Sequence, residues 1–396
     1  MGLTIDATGN LYAADSGNQT IRKITPTGSV TTYAGTGSSG VVNGPVRTAS
    51  FNNPVSVELT SDGTMYVGDA NNFQIRKISA DQVVSTILGD FTPTDGTGTT
   101  VYFRHPSGMS TDDQGNLFVA DGGNNMIRKI SPSGNVTFVA GKVQPGYSDG
   151  PGSNASFLNP VGLSINAKNE IFVADSGNYA IRKISISGAV TSVIKSKPYG
   201  ITAPTGIFVD KNDQIFFSDS GYGWIYKLSA TGDIIQLASG TPGPSGLFWQ
   251  QPYQIWVDDK GYIYLADSGN HRICKSVNDS GSFTVLAGMQ SAGNFAIYGR
   301  GDGLGTTATF YNPKGIVMDR EANLYVADAS NNVIRKISST GMVTTLAGSG
   351  IKGHSDGAAL TATFNHPAGL ALSPDQTILY VSDQGNNLIR KITLGK

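Results

Sequence analysis

One phrase recurs eight times along this chain of 396 residues, and no other feature limits its possible folds as strongly. The fullest copy, Glu170 to Ser185, reads EIFVADSGNYAIRKIS, and its aspartate returns at Asp15, Asp69, Asp121, Asp175, Asp219, Asp267, Asp328 and Asp383. Successive copies are 54, 52, 54, 44, 48, 61 and 55 residues apart, with no linker or shift in composition between them. A repeat of that length is one supersecondary unit, too small to hide its own apolar surface, so the copies must stack. A single body spanning residues 1–396 is the expectation.

Within a copy, four apolar runs are punctuated by Gly and Asn: Gly162 to Ile165, Ile171 to Ala174, Ile181 to Ile184 and Val190 to Ile194. Hairpin-length turns between such runs predict a four-stranded antiparallel meander. The second run, Ile171-Phe172-Val173-Ala174, is apolar on both faces, so each small sheet needs a neighbour on either side. Sheets arranged radially satisfy this, whereas β-helix coils are shorter and sandwiches do not repeat at this period. The fold class expected is all-β: an eight-bladed β-propeller of four-stranded antiparallel blades. Only seven fourth strands are legible, so the last blade is expected to be three-stranded, ending with Leu388 to Thr393, and the chain to be a fragment of a longer one.

Composition fits that reading and removes several functions. Glycine supplies 51 residues, as many tight turns demand, and charged residues are 14% against about 25% in average soluble domains. With a net charge of −1 and no block of like charges, neither nucleic-acid binding nor membrane insertion is expected. The single cysteine, Cys274, allows neither an internal disulfide nor a cysteine zinc cluster.

The motifs NPVGLSI, NEIFVADSGN and AIRKI, within Asn159 to Ile184, resemble those of the NHL-repeat propellers, and the resemblance runs over essentially the whole chain. The connector Ser148 to Pro160, SDGPGSNASFLNP, is similar to that of the secreted multi-repeat branch and of teneurin-type domains. The resemblance implies a non-catalytic recognition or adhesion module, bacterial, extracellular or at the cell surface, with the periplasm as the other location. It also brings an alternative, because amidating lyases and gluconolactonase-like hydrolases are related enzymes. The lyases hold zinc through histidines of different blades, and here His105 and His366 occupy one equivalent slot before proline. The hydrolases use a channel-facing Glu with Asn and Asp. Glu58, Asp112, Asp210 and Asp258 on first strands keep open a divalent cation in the central channel, and with it a metal-dependent hydrolase or lyase; otherwise no cofactor is expected.

Most repeated residues have structural explanations. Each aspartate and the arginine seven positions on, such as Asp175 with Arg182, predict a charge-assisted pair near a hairpin turn, with Tyr226 and Cys274 as exceptions. The connectors carry Asp95, Asp149, Asp302 and Asp356 followed by Phe103, Phe157, Phe310 and Phe364, a turn plus an aromatic plug, with too few carboxylates for a calcium loop.

Binding is better sought where copies diverge, in the fifth and sixth, which hold all three tryptophans. Tyr222 and Trp224 fall in the second-to-third turn of the fifth copy, His271 and Arg272 in that of the sixth, and Trp249 and Tyr253 in the connector between them. The next connector adds Tyr298 and Arg300, with Phe295; Tyr199, Tyr226 and Phe248 lie nearby in sequence, and Trp256 reads as core. Turns and connectors share one face of a meander, so these eight residues are the candidate ligand-binding set, for a glycan or a protein partner. The competing explanation is that the aromatics fill gaps left by shortened blades. A monomer is expected, with pairing at the edge strand Leu388 to Thr393 as the other mode of association.

Overall fold

The computed structural model describes every residue except 1, 61, 73, 89–94, 98–100, 196–199, 230–231, 239–248, 278–281, 291–296 and 396. Strands form where the repeat predicts them. In the fourth copy, Pro160–Ile165, Ile171–Asp175, Ala180–Ile184 and Ala189–Ile194 pair in that order, each antiparallel to the next. Between the second and third strands a 3-10 turn, Ser176–Asn178, ends on Tyr179 at φ 57°. Asn125, His271, Asn332 and Asn387 take the same left-handed position, three of the four being asparagine, the residue that tolerates it best after glycine.

Eight sheets result, one per copy. Sheets two, three, four and seven gain a fifth strand of two residues from the incoming connector, as when Gly150–Pro151 pairs with Ala189 and Val190. Among the described residues, sheets one, five and six have four strands, and sheet eight has three, Pro367–Leu372, Ile378–Asp383 and Leu388–Thr393.

The chain divides into two compact units, residues 1–92 and 93–396. The first contains sheets one and two, which bury Tyr12, Ile21, Phe51, Met65 and Val67 in one core. The second contains sheets three to eight. Their first strands follow one another in chain order, and the last, Pro367–Leu372, packs back on the first of the series, Pro106–Thr111. Ser382 Oγ donates to Ser107 O at 2.8 Å and Thr111 Oγ1 to Leu372 O at 2.8 Å across that contact. A cavity of about 350 Å³ is lined by residues of all six first strands, from Met109 to Leu372.

These contacts correct the expected eight-bladed wheel: eight sheets exist, but the ring of the second unit closes over six, sheet to sheet, with no sheet closing on itself. Close approach of the first strands makes this closure. A Cβ on Gly369 would lie 1.9 Å from Ser107 O, one on Gly162 2.2 Å from Thr205 O, and one on Gly315 2.2 Å from Ala368 O. Glycine at the third position of the strand lets neighbouring backbones meet around the axis. Trp256, assigned to the core, is partly buried, packs against Phe208 at 4.8 Å between ring centres and borders the axial cavity.

Candidate functional site

The repeated polar residues build the scaffold of the loop face. In sheet seven, Asp328 accepts from the Tyr311 amide at 2.7 Å, Asn331 Nδ2 at 2.8 Å and Arg335 Nη1 at 3.0 Å. The same guanidinium reaches Asp302 of the connector at 2.7 Å and lies 5.1 Å from the centre of the Phe310 ring. Sheets two, four and eight repeat the arrangement with Arg76, Arg182 and Arg390 over Phe51, Phe157 and Phe364. The connector side chain, a carboxylate in sheets four, seven and eight and the Asn43 amide in sheet two, is thus a second clamp on the arginine, a role the spacing alone did not disclose. Burial pushes the Asp328 carboxyl up to about 6, against the pull of Asn331, the Tyr311 amide and Arg335.

That frame explains two of the candidate residues. Trp249 stands three residues before Pro252, as Phe310 stands before Pro313, and it is 6% exposed, edge-on to Phe283 and under Arg272 at 5.7 Å. It is the plug of sheet six. Arg272 is buried and donates through Nε to Asp267 at 2.7 Å, so it is the clamp, supplied two positions early because Cys274 fills the usual place. Neither side chain is a free group on the rim, although Trp249 forms part of the wall described next.

A cleft of about 710 Å³ crosses the turn ends of sheets five, six and seven. Sheet five contributes Ser220 and Tyr222, the following connector Gln250 and Gln251, sheet six Ser268 and His271, and beyond them stand Tyr311, Asn312 and Ser330. Tyr222 is 55% exposed and stacks on Trp224 at 5.0 Å, while Trp224 meets Tyr226 edge-on and fills the side of sheet five. Tyr298, 63% exposed, stacks on the lining residue Tyr311 at 4.8 Å, and both rings meet His271 edge-on. The His271 Nδ1 lies 3.0 Å from Ser268 O and 3.2 Å from the Asn312 amide, and burial lowers the affinity of this imidazole for its proton. Among the described residues, every side chain lining this cleft is aromatic, amide, hydroxyl or imidazole, with no carboxylate, lysine or arginine.

Two further candidates lie elsewhere. Arg300 is exposed on the connector and donates to Ser349 O at 2.5 Å, away from the cleft lining. Tyr253 follows Pro252 and faces the axis, where Lys314 Nζ sits 5.2 Å from its ring centre and 3.2 Å from Gln384 Oε1. Burial pushes the Tyr253 hydroxyl up to about 12 and lowers the Lys314 ammonium below its ordinary value. Tyr199, Phe248 and Phe295 lie outside the described residues. Of the candidates, Tyr222, Trp249 and His271 line this cleft, with Gln250, Gln251 and Tyr311 added, while Trp224 and Tyr298 stack on the lining residues Tyr222 and Tyr311.

The carboxylates considered for a cation serve other purposes. Asp112, Asp210 and Asp258 each accept two backbone N–H groups of the turn that follows the first strand, as Asp112 does from Gln114 and Asn116. Glu58 is exposed in the first unit. Among the described residues no three His, Cys, Asp or Glu side chains converge as a ligand set. His105 and His366 instead hold left-handed turn positions, at φ 48° and 50°.

With this geometry in hand, comparison with known proteins is specific. The family model of the NHL repeat matches residues 157–184, the stretch from the Phe157 plug through Asp175 to the Arg182 clamp. NHL repeat-containing protein 2 of Bos taurus is 26% identical over 73% of this chain and 46% of its own length. The chain is similar to NHL repeat proteins and matches the repeat itself at residues 157–184. It spans under half the length of that curated NHL relative. Among solved structures, an auxiliary nutrient binding protein from Bacteroides ovatus aligns with a TM-score of 0.60 at 18% identity, over 77% of this chain and 73% of the other. Another of that description, from Bacteroides thetaiotaomicron, aligns with a TM-score of 0.59 at 16% identity over 99% and 97% of the two chains. At such identities the likeness establishes the fold alone. No helix among the chain's described residues is long and apolar enough to cross a membrane.

Proposed function

We propose that the second unit is a non-catalytic recognition scaffold that binds a neutral glycan in the cleft across sheets five to seven, at the cell surface or in the periplasm of a bacterium. One observation carries this: Tyr222, stacked on Trp224, and Tyr311, stacked on Tyr298, line one cleft with amides and hydroxyls, and no charged side chain is among its described lining residues. Sugar rings present CH-rich faces to aromatic rings and hydroxyls to amides, which is what such walls offer. The description of two structural neighbours as auxiliary nutrient binding proteins supports a binding role and a location outside the cytoplasm.

Trp249 in the cleft wall provides the probe. Titration of the full chain with a panel of neutral oligosaccharides should shift tryptophan emission saturably for at least one, with Kd at about the millimolar level or tighter. Tyr222→Ala should weaken that binding by about tenfold while leaving thermal unfolding in place, because Tyr222 is more than half exposed. Emission that no neutral sugar moves, together with capture of a protein ligand that Tyr222→Ala releases, would replace the glycan by a polypeptide.

A further inference from the structure

The first strands of sheets six and seven start beside the turns that carry the cleft, because Pro252 and Pro313 pair with Asp267 and Asp328, the residues that lead into those turns. The residue after that proline lies near the axis of the ring on the cleft face. In the other four sheets it is small, Ser107, Val161, Thr205 or Ala368. Where it carries a hydroxyl, a neighbouring strand takes it: Ser107 Oγ donates to Val161 O at 2.8 Å and Thr205 Oγ1 to Pro252 O at 3.0 Å. Sheets six and seven instead place Tyr253 and Lys314 there, each two residues beyond a member of the cleft lining, Gln251 and Asn312.

These two side chains form one cluster with Gln384 of sheet eight. Lys314 Nζ donates to Gln384 Oε1 at 3.2 Å and lies 5.2 Å from the centre of the Tyr253 ring, and the Gln384 carboxamide also bonds the Tyr253 hydroxyl. An ammonium has three N–H donors, and these neutral partners cancel none of its charge. Among the described residues no carboxylate acts on Lys314, and burial lowers its affinity for its proton. The surroundings are positive as well: partial burial, then the charges of Arg104 and Lys314, lower the affinity of His105 for its proton. Nothing in the fold calls for a cation here, since serine, valine, threonine, tyrosine and alanine fill the same place in the other sheets of the ring. A half-buried ammonium without a carboxylate partner costs stability, and an anionic ligand is what completes it.

We propose that the axial mouth beside the cleft binds the carboxylate of a sugar acid, with Lys314 Nζ as the cation, the Tyr253 hydroxyl as a second donor, and Gln384 positioning both. One ammonium balances one negative charge, which suits a carboxylate better than a phosphate monoester carrying nearly two. The hydroxyl-bearing body follows from the amides and hydroxyls of the lining that begins two residues away, and this half of the assignment rests on the cleft being a glycan site. The carboxylate half rests on the axial cluster alone.

Calorimetric titration of the full chain at fixed ionic strength tests this with sodium glucuronate, glucose, sodium acetate and inorganic phosphate. Glucuronate should bind with Kd at about the millimolar level, and glucose and acetate about tenfold more weakly or worse. Lys314→Met should weaken glucuronate by about tenfold and Tyr253→Phe by about threefold. Lys211→Met, an exposed lysine of the turn after the first strand of sheet five, at the opposite end of the sheet, should change nothing. No glucuronate binding up to about 10 mM, binding that Lys314→Met leaves intact, or tighter binding of phosphate overturns the proposal. Acetate binding as tightly as glucuronate overturns the sugar body. Failure of neutral oligosaccharides to bind, with glucuronate still dependent on Lys314, overturns the neutral cleft reading and supports the axial carboxylate site.

Discussion

Sheets seven and six hold the same buried aspartate by different means. In sheet seven, Asp328 is clamped by Arg335, whose guanidinium spans from the Phe310 plug to the connector carboxylate of Asp302. In sheet six the cation comes from Arg272, bonds through Nε and lies over Trp249, while Cys274 occupies the usual arginine place. Sheet five carries the change further. Asp219 there accepts the amides of Thr202, Ala203 and Gly221 and the Thr202 hydroxyl, and Tyr226, stacked on Phe217, stands where the arginine would be. A buried carboxylate requires donors, and neutral ones suffice when there are enough of them. The turn ends of sheets five and six, where these substitutions fall, carry the cleft.

The largest expected effect tests whether the arginine clamp is as structural as sheet seven suggests. Arg335→Ala leaves Asp328 buried and without its cation, which costs about 3–5 kcal/mol in comparable buried pairs. Calorimetric unfolding of the second unit should show a matching fall in Tm. A change below about 1 kcal/mol would mean that Asn331 and the Tyr311 amide hold the carboxylate alone, as the donors of sheet five do, and would erase the distinction between the two kinds of sheet.

Ring closure provides the next test, because sheet six departs from its neighbours here too. Its third first-strand residue is Gln254 where sheets three, four, five, seven and eight have Gly108, Gly162, Gly206, Gly315 and Gly369. Gly369→Ala forces a methyl group against Ser107 O and should cost about 3 kcal/mol or more, the upper range of overpacking. Gln254→Ala should stay within about 1 kcal/mol, since that position already accepts a side chain. Equal effects at the two sites in urea denaturation would refute close approach as the basis of the six-sheet ring.

Much of this was legible because the repeat carries it. The meander, the Asp175–Arg182 pairing, the Phe157 plug and the three strands of sheet eight all follow from one well-punctuated phrase. The number of sheets in the ring was not, since closure depends on which first strands touch and every copy presents nearly the same strand. In the candidate site, Tyr222, His271 and Tyr298 stand out by their departure from the repeat; the first two line one cleft and the third stacks on its Tyr311. Trp249 and Arg272 stand out the same way but are substitutes for a plug and a clamp, which alignment on Pro252 and Asp267 would have disclosed. Lys314 escaped notice because the residue after that proline differs in every sheet of the ring: Ser107, Val161, Thr205, Tyr253, Lys314 and Ala368.

Lys314 yields the smallest effect, and the one with a defined pH signature. Its ammonium is drawn toward the axis by Gln384 and the face of Tyr253, neither of which carries a compensating negative charge. Burial therefore lowers its proton affinity in the native state, while in the unfolded chain it titrates near the ordinary lysine value of about 10.4. Between the two values the unfolded chain binds more protons, so the contribution of this group to stability rises with pH. Lys314→Met keeps the stem and removes the charge, and should raise stability by about 1 kcal/mol at neutral pH. The gain should shrink as the solution passes through the lowered native value and vanish above the ordinary one. Denaturation midpoints of parent and variant at pH 7, 9 and 10.5 measure this. A gain that persists undiminished at the highest pH would assign it to packing against Tyr253 rather than to relief of an uncompensated charge.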